Sequence, residues 1–436
     1  MLSALVAIVA VVGIVLTGIP VGFALLIVGF FGLWYTLGLQ VATSSMVIIP
    51  YTSVAQESLT VLPLFILTGS LVFESGLASN AFDVAHKWLG RLPGGLGITT
   101  IATAAAFAAT TGSSAATSAT VGKIAVPEMR RYGYSASMAT GISAAGGILG
   151  IMIPPSISLV VYGIATNTSI GKLLIAGIIP GLVTAIIFSM GIAAVAMLRP
   201  TAVPRGSKER YAWRDKWMSL ARMWGMILIF VVVIGGIFAG VFTPSEAAAA
   251  GCMLATVLLV MKHGRHSTPK LLSGLRDAAG TTCMVFFIII GANVFSSFAA
   301  LSGMADVLVK AILSSGWSAY GILALIVLMY IPLGMFLEPM SMALITLPLV
   351  FPIITGLGFD PIWFGVMITA VWEVALLTPP VGFNCYVIAG LFPDIPLQAV
   401  FKGAMMFIAL ELVAVVVLVI FPQLATWLPG LMGRPV

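Results

Sequence analysis

Apolar runs of about twenty residues follow one another along this chain, separated by short polar breaks. A helix of roughly 20 apolar residues crosses a ~30 Å hydrocarbon core. Within that core every backbone N–H and C=O must be paired inside the protein, which favours helices as the spanning element. Composition agrees: 60% of the 436 residues are hydrophobic and 8% charged, against about 25% charged in a soluble domain. The sequence therefore reads as an all-α polytopic membrane protein. Membrane segments are expected near 3–18, 21–38, 57–74, 135–167, 171–198, 224–241, 246–261, 281–300, 362–390 and 404–424. The net charge of +6 belongs to loops on one side of the membrane and predicts no nucleic-acid partner. Cys252, Cys283 and Cys385 lie in apolar segments and read as packing residues without a disulfide. Met1 to Thr17 lacks a basic leader and runs on into further apolar sequence, so it reads as a retained helix.

Two stretches do not fit single crossings. Leu96 to Gly122 is 27 residues without a charge. As one helix it would be about 40 Å long, too long for the bilayer. Arg91 precedes it, and Lys123, Arg130 and Arg131 follow. Positive flanks mark the cytoplasmic side, so both ends lie there and the segment enters and returns, turning near Gly112, Ser113 and Ser114. The second stretch, from Ile312 to Phe359, is interrupted by "FLEPMSM" (336–342), and its far end "TGLGFDP" (355–361) has no Lys or Arg. Two re-entrant helical hairpins are expected, at 96–130 and 312–359. Tracing the chain through them puts 17 of the 20 Lys and Arg on one side, leaving Lys172, Lys310 and Arg434 on the other. The basic, Trp-containing linker Arg199 to Arg222 reads as a cytoplasmic connection with an interfacial helix.

The halves repeat at a spacing of 225. Pro127 and Pro352, Gly133 and Gly358, Tyr134 and Phe359, Pro154 and Pro379, and Pro155 and Pro380 all pair at that offset. Each half holds three crossings and a hairpin, and an odd number of crossings inverts the second half. Inverted repeats of this kind place a transport site at their interface near the bilayer midplane. The double prolines lie inside apolar segments and break the helices there. Broken backbone is tolerated in a membrane only where protein or a polar cavity covers it. Two tips and two broken helices bring free carbonyls, suited to a hard cation such as Na⁺, and helix N-termini, suited to an anion. Ser113, Ser114 and Thr117 add hydroxyls at the first tip; Asn384 and Tyr386 follow the second break; Asn167 and Thr168 end the matching segment of the first half. Small residues at the tip also suit plain close packing of helices. Glu338 sits at the second tip and Glu373 six residues before Pro379. Either suits a cation or a proton, and Glu373 equally a structural hydrogen bond. Glu246 in "FTPSEAAAAG" reads as a helix start capped by Thr243 or Ser245. No His cluster, CxxC, HExxH or glycine-rich phosphate loop with a following Lys occurs, so neither an enzyme nor an ATPase is expected.

In "IPVGFALL" (19–26), "GSSAATSATVGKIAVPEMRRYGY" (112–134), "GGILGIMIPPSISLVVYG" (146–163), "LIAGIIPG" (174–181), "GVFTPSEAAAAG" (240–251) and "ALLTPPVGFNCYV" (375–387), the chain resembles the large membrane subunit of tripartite ATP-independent periplasmic (TRAP) transporters. The resemblance covers nearly the whole chain. It implies an elevator-type, Na⁺-coupled importer of organic anions, carboxylates or acidic sugars, in a bacterial or archaeal inner membrane. It also implies a small four-helix membrane subunit as a separate chain, and a periplasmic substrate-binding protein. At least two Na⁺ sites are implied. One falls on Gly112, Ser113, Ser114, Pro154, Pro155 and Ser156, the other on Gly334, Glu338, Thr378, Pro379 and Gly382. Ser114, Thr117, Ser156, Asn384 and Tyr386 are the implied substrate contacts. The domains expected are a scaffold (1–56), repeat one (57–199), a linker with two connecting helices (200–280), repeat two (281–424) and a periplasmic tail (425–436). A stand-alone Na⁺/carboxylate symporter of similar hairpin architecture is the alternative.

Overall fold

Small polar caps, glycines and prolines set where the helices of this chain start and stop. A computed structural model describes residues 2–432 apart from 207–209, 304–308, 311, 313–315 and 336. Phe336 and Arg434, used above, lie outside the described residues, as do Lys208, one of the 17 cations placed on one side, 313–315 of the expected second hairpin and 433–436 of the expected tail. Among the described residues the regular structure is helical, without strands. The first part of the chain forms α1 (Leu2–Leu16), α2 (Val21–Leu37), α3 (Leu39–Val54), α4 (Val61–Ser75) and α5 (Ala78–Leu89). Then come α6 (Gly95–Thr111), α7 (Ser114–Arg131), α8 (Ala136–Met152), α9 (Ile157–Thr166), α10 (Ile170–Ala176) and α11 (Ile178–Leu198). The middle holds α12 (Trp213–Ala221), α13 (Trp224–Phe238), α14 (Pro244–His263) and α15 (Ser267–Leu301). The last part holds α16 (Ala319–Gly334), α17 (Pro339–Gly356), α18 (Pro361–Leu377), α19 (Phe383–Leu391), α20 (Leu397–Ile420) and α21 (Gln423–Gly430). Among the described residues, five helical stretches are long and apolar enough to cross a membrane, or seven if each bent pair is one span.

Helices occupy the expected membrane segments, with differences. Leu39–Val54, which lies between the expected membrane segments, is a full helix. The segment 171–198 is interrupted at Gly177, whose close approach to Met152 leaves a Cβ only 2.6 Å from that carbonyl. A π turn at Val231–Gly235 lies within α13. The boundary expected at residue 280 falls inside α15, a single helix of 35 residues. The first half of the expected tail, 425–430, belongs to α21, which buries Ala425 and Pro429 and packs on α10 and α11.

Elements in the two halves correspond by their bounds. Shifting α7 by 225 residues gives the bounds of α17, and the same shift takes α8 to α18. The local causes recur too. Gly133 and Gly358 take φ of 87° and 84° just after α7 and α17, where a side chain would be strained. Ser135 then caps α8 through Met138 N–H, and Asp360 caps α18 through Ile362 and Trp363 N–H.

The interior is built around α8 and α18. Every residue from Trp363 to Leu377 is buried, as is every residue from Ala139 to Met152. A helix apolar on all sides belongs in a core. Small residues let α8 approach α20 backbone to backbone: a Cβ on Gly141 would stand 2.6 Å from Gly403 Cα. A second group, α2, α4, α14 and α15, packs mainly within itself. Its tightest crossing joins α2 to α15, where a Cβ on Gly29 would be 2.9 Å from Phe295 N.

Candidate functional site

The first hairpin turns where glycine and serine dictate. Gly112 ends α6 with φ 63°, a left-handed conformation that costs glycine little. Ser113 follows in extended conformation and caps α7, its Oγ accepting from Ala116 N–H at 3.4 Å. The turn lies against the broken helix: a Cβ on Gly112 would be 2.5 Å from Pro155 O. That approach is possible only for glycine. On the other side, a Cβ on Gly69 of α4 would be 2.6 Å from Thr111 O.

The first break runs through Ile153–Ser156 between α8 and α9, which are bent by 40°. Pro154, Pro155 and Ser156 are all buried. Ser156 caps α9, its Oγ accepting from Leu159 N–H at 3.2 Å. The second break runs from Thr378 to Gly382 and is more open. Pro379 is partly buried, while Pro380 and Val381 are exposed. Thr378 Oγ1 donates back to Val374 O at 2.7 Å, and Gly382 takes φ 49° at the start of α19. Both Pro–Pro peptide bonds are cis. At the second tip, Gly334 ends α16 pressed against Ala375. Glu338 stands at the cap position of α17, and its Oε1 accepts from Ser341 Oγ at 3.2 Å.

A cavity of about 450 Å³ opens between these elements and the α4–α15 wall. The starts of four helices line it: Ser114 and Ala115 of α7, Ile157 and Ser158 of α9, Pro339 and Met340 of α17, and Phe383 of α19. The first N–H groups of a helix have no partner within it, and its N-terminus carries about half a positive charge. Four such ends around one space favour an anion. Among the described residues, the charged side chains lining the cavity are Asp277 and Glu338, with no Lys or Arg. The ends of α6, α8, α16 and α18 meet the same turns and supply free carbonyls there.

The sequence-expected residues divide into two sets. Gly112, Ser113, Ser114 and Glu338 line the cavity, and the two prolines of each break, Thr117, Ser156, Gly334, Thr378, Gly382, Asn384 and Tyr386 do not. Thr117 Oγ1 donates to Ser113 O at 2.8 Å and holds the tip's own backbone. Asn384 is fully buried, and its amide is engaged by the protein. Ser114 Oγ donates to its Oδ1 at 2.9 Å, and its Nδ2 lies 2.7 Å from Ser114 Oγ and 3.3 Å from Ala144 O. Asn384 thus joins the second break to the first tip. Tyr386 is 50% exposed and edges onto Phe401. Asn167 takes φ 53° at the end of α9, and Thr168 Oγ1 is 2.9 Å from Thr166 Oγ1, so both close that helix. The wall residues Gly69, Ser70, Phe73, Asp277 and Thr281 were missed by sequence reasoning. Asp277 and Thr281 carry a signal, polar groups leading into an apolar run: Asp277 falls in the expected linker (200–280) and Thr281 opens the expected membrane segment 281–300.

A model of the family described as tripartite ATP-independent periplasmic transporter, DctM component, matches residues 8–424. The C4-dicarboxylate TRAP transporter large permease protein DctM of Pseudomonas aeruginosa is 36% identical over 382 residues, covering 86% of this chain and 87% of that protein. The sialic acid TRAP transporter large permease protein SiaM of Vibrio cholerae is 32% identical over 427 residues, covering 96% of each. Both are transport permeases, not enzymes. In fold, the chain is similar to the crystal structure of the Alcanivorax borkumensis YdaH transporter, with TM-score 0.57 over 88% of this chain and 89% of that one, at 11% identity.

Proposed function

The chain belongs to the DctM component family of tripartite ATP-independent periplasmic transporters, and from that premise we propose that it is the translocation subunit of a Na⁺-coupled importer of organic anions. The observation that carries this reading is the cavity lined by four helix N-termini and, among the described residues, by no basic side chain. An organic anion there is held by backbone N–H groups and dipole ends. The acidic Glu338 and Asp277 oppose it unless cations enter with it. Na⁺ ions at the carbonyl-rich turns supply that charge, one at Gly112–Ser114 with Pro154–Ser156, one at Gly334 and Glu338 with Thr378–Gly382. The relatives' cargoes, C4-dicarboxylates and sialic acid by their names, are carboxylates, and a carboxylate is the proposed cargo here.

The mechanism proposed is an elevator. The hairpins and broken helices pack on one another, the α2, α4, α14 and α15 group packs on itself, and the cavity lies between them. Such a division suits movement of one group along the other. The equal bounds of α7 and α17, and of α8 and α18, at an offset of 225 support an inverted repeat with two re-entrant hairpins. A four-helix membrane subunit, supplied as a separate chain, and a periplasmic binding protein complete the assembly in the inner membrane.

The test is uptake in liposomes. With the small subunit and the binding protein, a C4-dicarboxylate should accumulate only under an inward Na⁺ gradient. Without the binding protein, little uptake should occur. Full uptake by the chain alone would favour the stand-alone symporter, and uptake indifferent to Na⁺ would end the Na⁺-coupled reading.

A further inference from the structure

Two ionisable side chains deep in the bundle have no part in the transport reading. Glu373 of α18 and Glu411 of α20 are both 0% exposed, and they are the only buried Asp, Glu, Lys, Arg or His among the described residues. The packing of their helices brings them together. Trp363 Nε1–H donates to Leu418 O at 2.8 Å, fixing α18 beside α20. From that contact Glu373 lies ten residues along α18, and Glu411 seven residues back along α20. At 1.5 Å per residue these are about 15 Å and 10 Å, so on antiparallel helices the two residues stand within about one helical turn of each other along the axis. The two helices pack directly on one another.

All four carboxyl oxygens lack a hydrogen-bond partner. No neighbouring element brings a counter-charge. α8, α11 and α21 carry no titratable side chain. Tyr162 of α9 donates to Pro361 O, and Tyr330 of α16 is paired with Thr346. Tyr320 of α16, Cys385 and Tyr386 of α19, and Glu338 at the start of α17 carry no positive charge. Lys172 of α10 and Lys402 of α20 are both exposed. Two ionised carboxylates in this setting would each pay a desolvation penalty of several kcal/mol and would repel one another. A single shared proton removes one of the charges and supplies the missing donor, because a carboxylic O–H can donate to the facing carboxylate.

We propose that Glu373 and Glu411 together form a binding site for one proton, buried between α18 and α20 and separate from the hairpin tips. Binding forms one O–H bond on one glutamate and leaves one negative charge on the pair. Release returns the proton to water.

The test uses the whole chain in lipid nanodiscs, without cargo or partners, so its outcome is independent of the Na⁺-coupled reading. Infrared spectra are taken along a pH series at fixed Na⁺ and along a Na⁺ series at fixed pH. A protonated-carboxyl band should follow pH, and E373Q and E411Q should each remove it or move its midpoint by about one pH unit or more. A band that both variants leave unchanged would overturn the proposal. So would a carboxyl signal that answers to Na⁺ and not to pH, which would make the pair a metal-cation site. Proton release on an alkaline jump gives a second measure. The isosteric E373Q/E411Q variant should release one proton fewer per chain than the wild type, and equal release would overturn the site.

Discussion

The pair Ser114–Asn384 carries the most information at the scale of single residues. Its hydrogen bonds join positions 270 apart, and both side chains are buried. Ser114→Ala removes two of the three contacts that the Asn384 amide makes. A buried polar group left unpaired costs about 1–3 kcal/mol. Ser114→Ala and Asn384→Ala should therefore each lower the unfolding free energy by about that amount, measured as denaturation in detergent. Members of one network are not additive, so the double variant should lose little more than either single one. Independent, additive losses would show that the two side chains do not act together. The sequence marks Ser114 as a polar residue in an apolar run but gives no partner for it. The 225-residue repeat identifies equivalent positions, whereas a contact between repeats follows no periodicity, so Asn384 was legible only as a donor near a break.

Most of the helical elements could be read from the sequence, because the chemistry that starts and stops a helix is local. The first tip is an example: Gly112 and Ser113 lie within the expected turn. The Thr243–Glu246 start of α14 is another. Glu246 N–H donates to Thr243 Oγ1 at 3.3 Å, while Thr243 N–H donates to Glu246 Oε2 at 2.8 Å. This is a reciprocal capping box with Pro244 in the first turn. Thr243→Ala should cost about 1 kcal/mol, seen as faster amide hydrogen exchange in the first turn of α14 with the rest of the chain unaltered. Exchange as slow as in the wild type would mean that packing alone holds that end. The start of α15 could not be read. Residues 267–280 include Lys270, Arg276 and Asp277 and look like loop by hydropathy. The helix continues through them because its polar side reaches α4: Lys270 Nζ donates to Glu74 O at 3.0 Å, and Ser273 Oγ to Glu74 Oε1 at 2.9 Å.

For the whole molecule, orientation follows from where the charges fall. The α7–α8 turn follows Arg130 and Arg131, whereas the α17–α18 turn has no Lys or Arg within 355–361. Basic loops stay in the cytoplasm. With Cys252, Cys283 and Cys385 replaced, Glu128→Cys should react with an impermeant thiol reagent from the cytoplasmic side and Gly356→Cys from the opposite side. Labelling of both from one side would rule out the inverted arrangement. The length of α15 has a mechanical consequence. Its 35 residues make a rod of about 52 Å, far longer than the bilayer core, clasped about 36 Å from its start where Gly291 meets the backbone of Gly22. Asp277, on the cavity wall, stands about 21 Å down the rod from that clasp. The rod is also fixed beyond Asp277, where Lys270 and Ser273 bond to Glu74 of α4, so the cavity wall is a span braced at both ends.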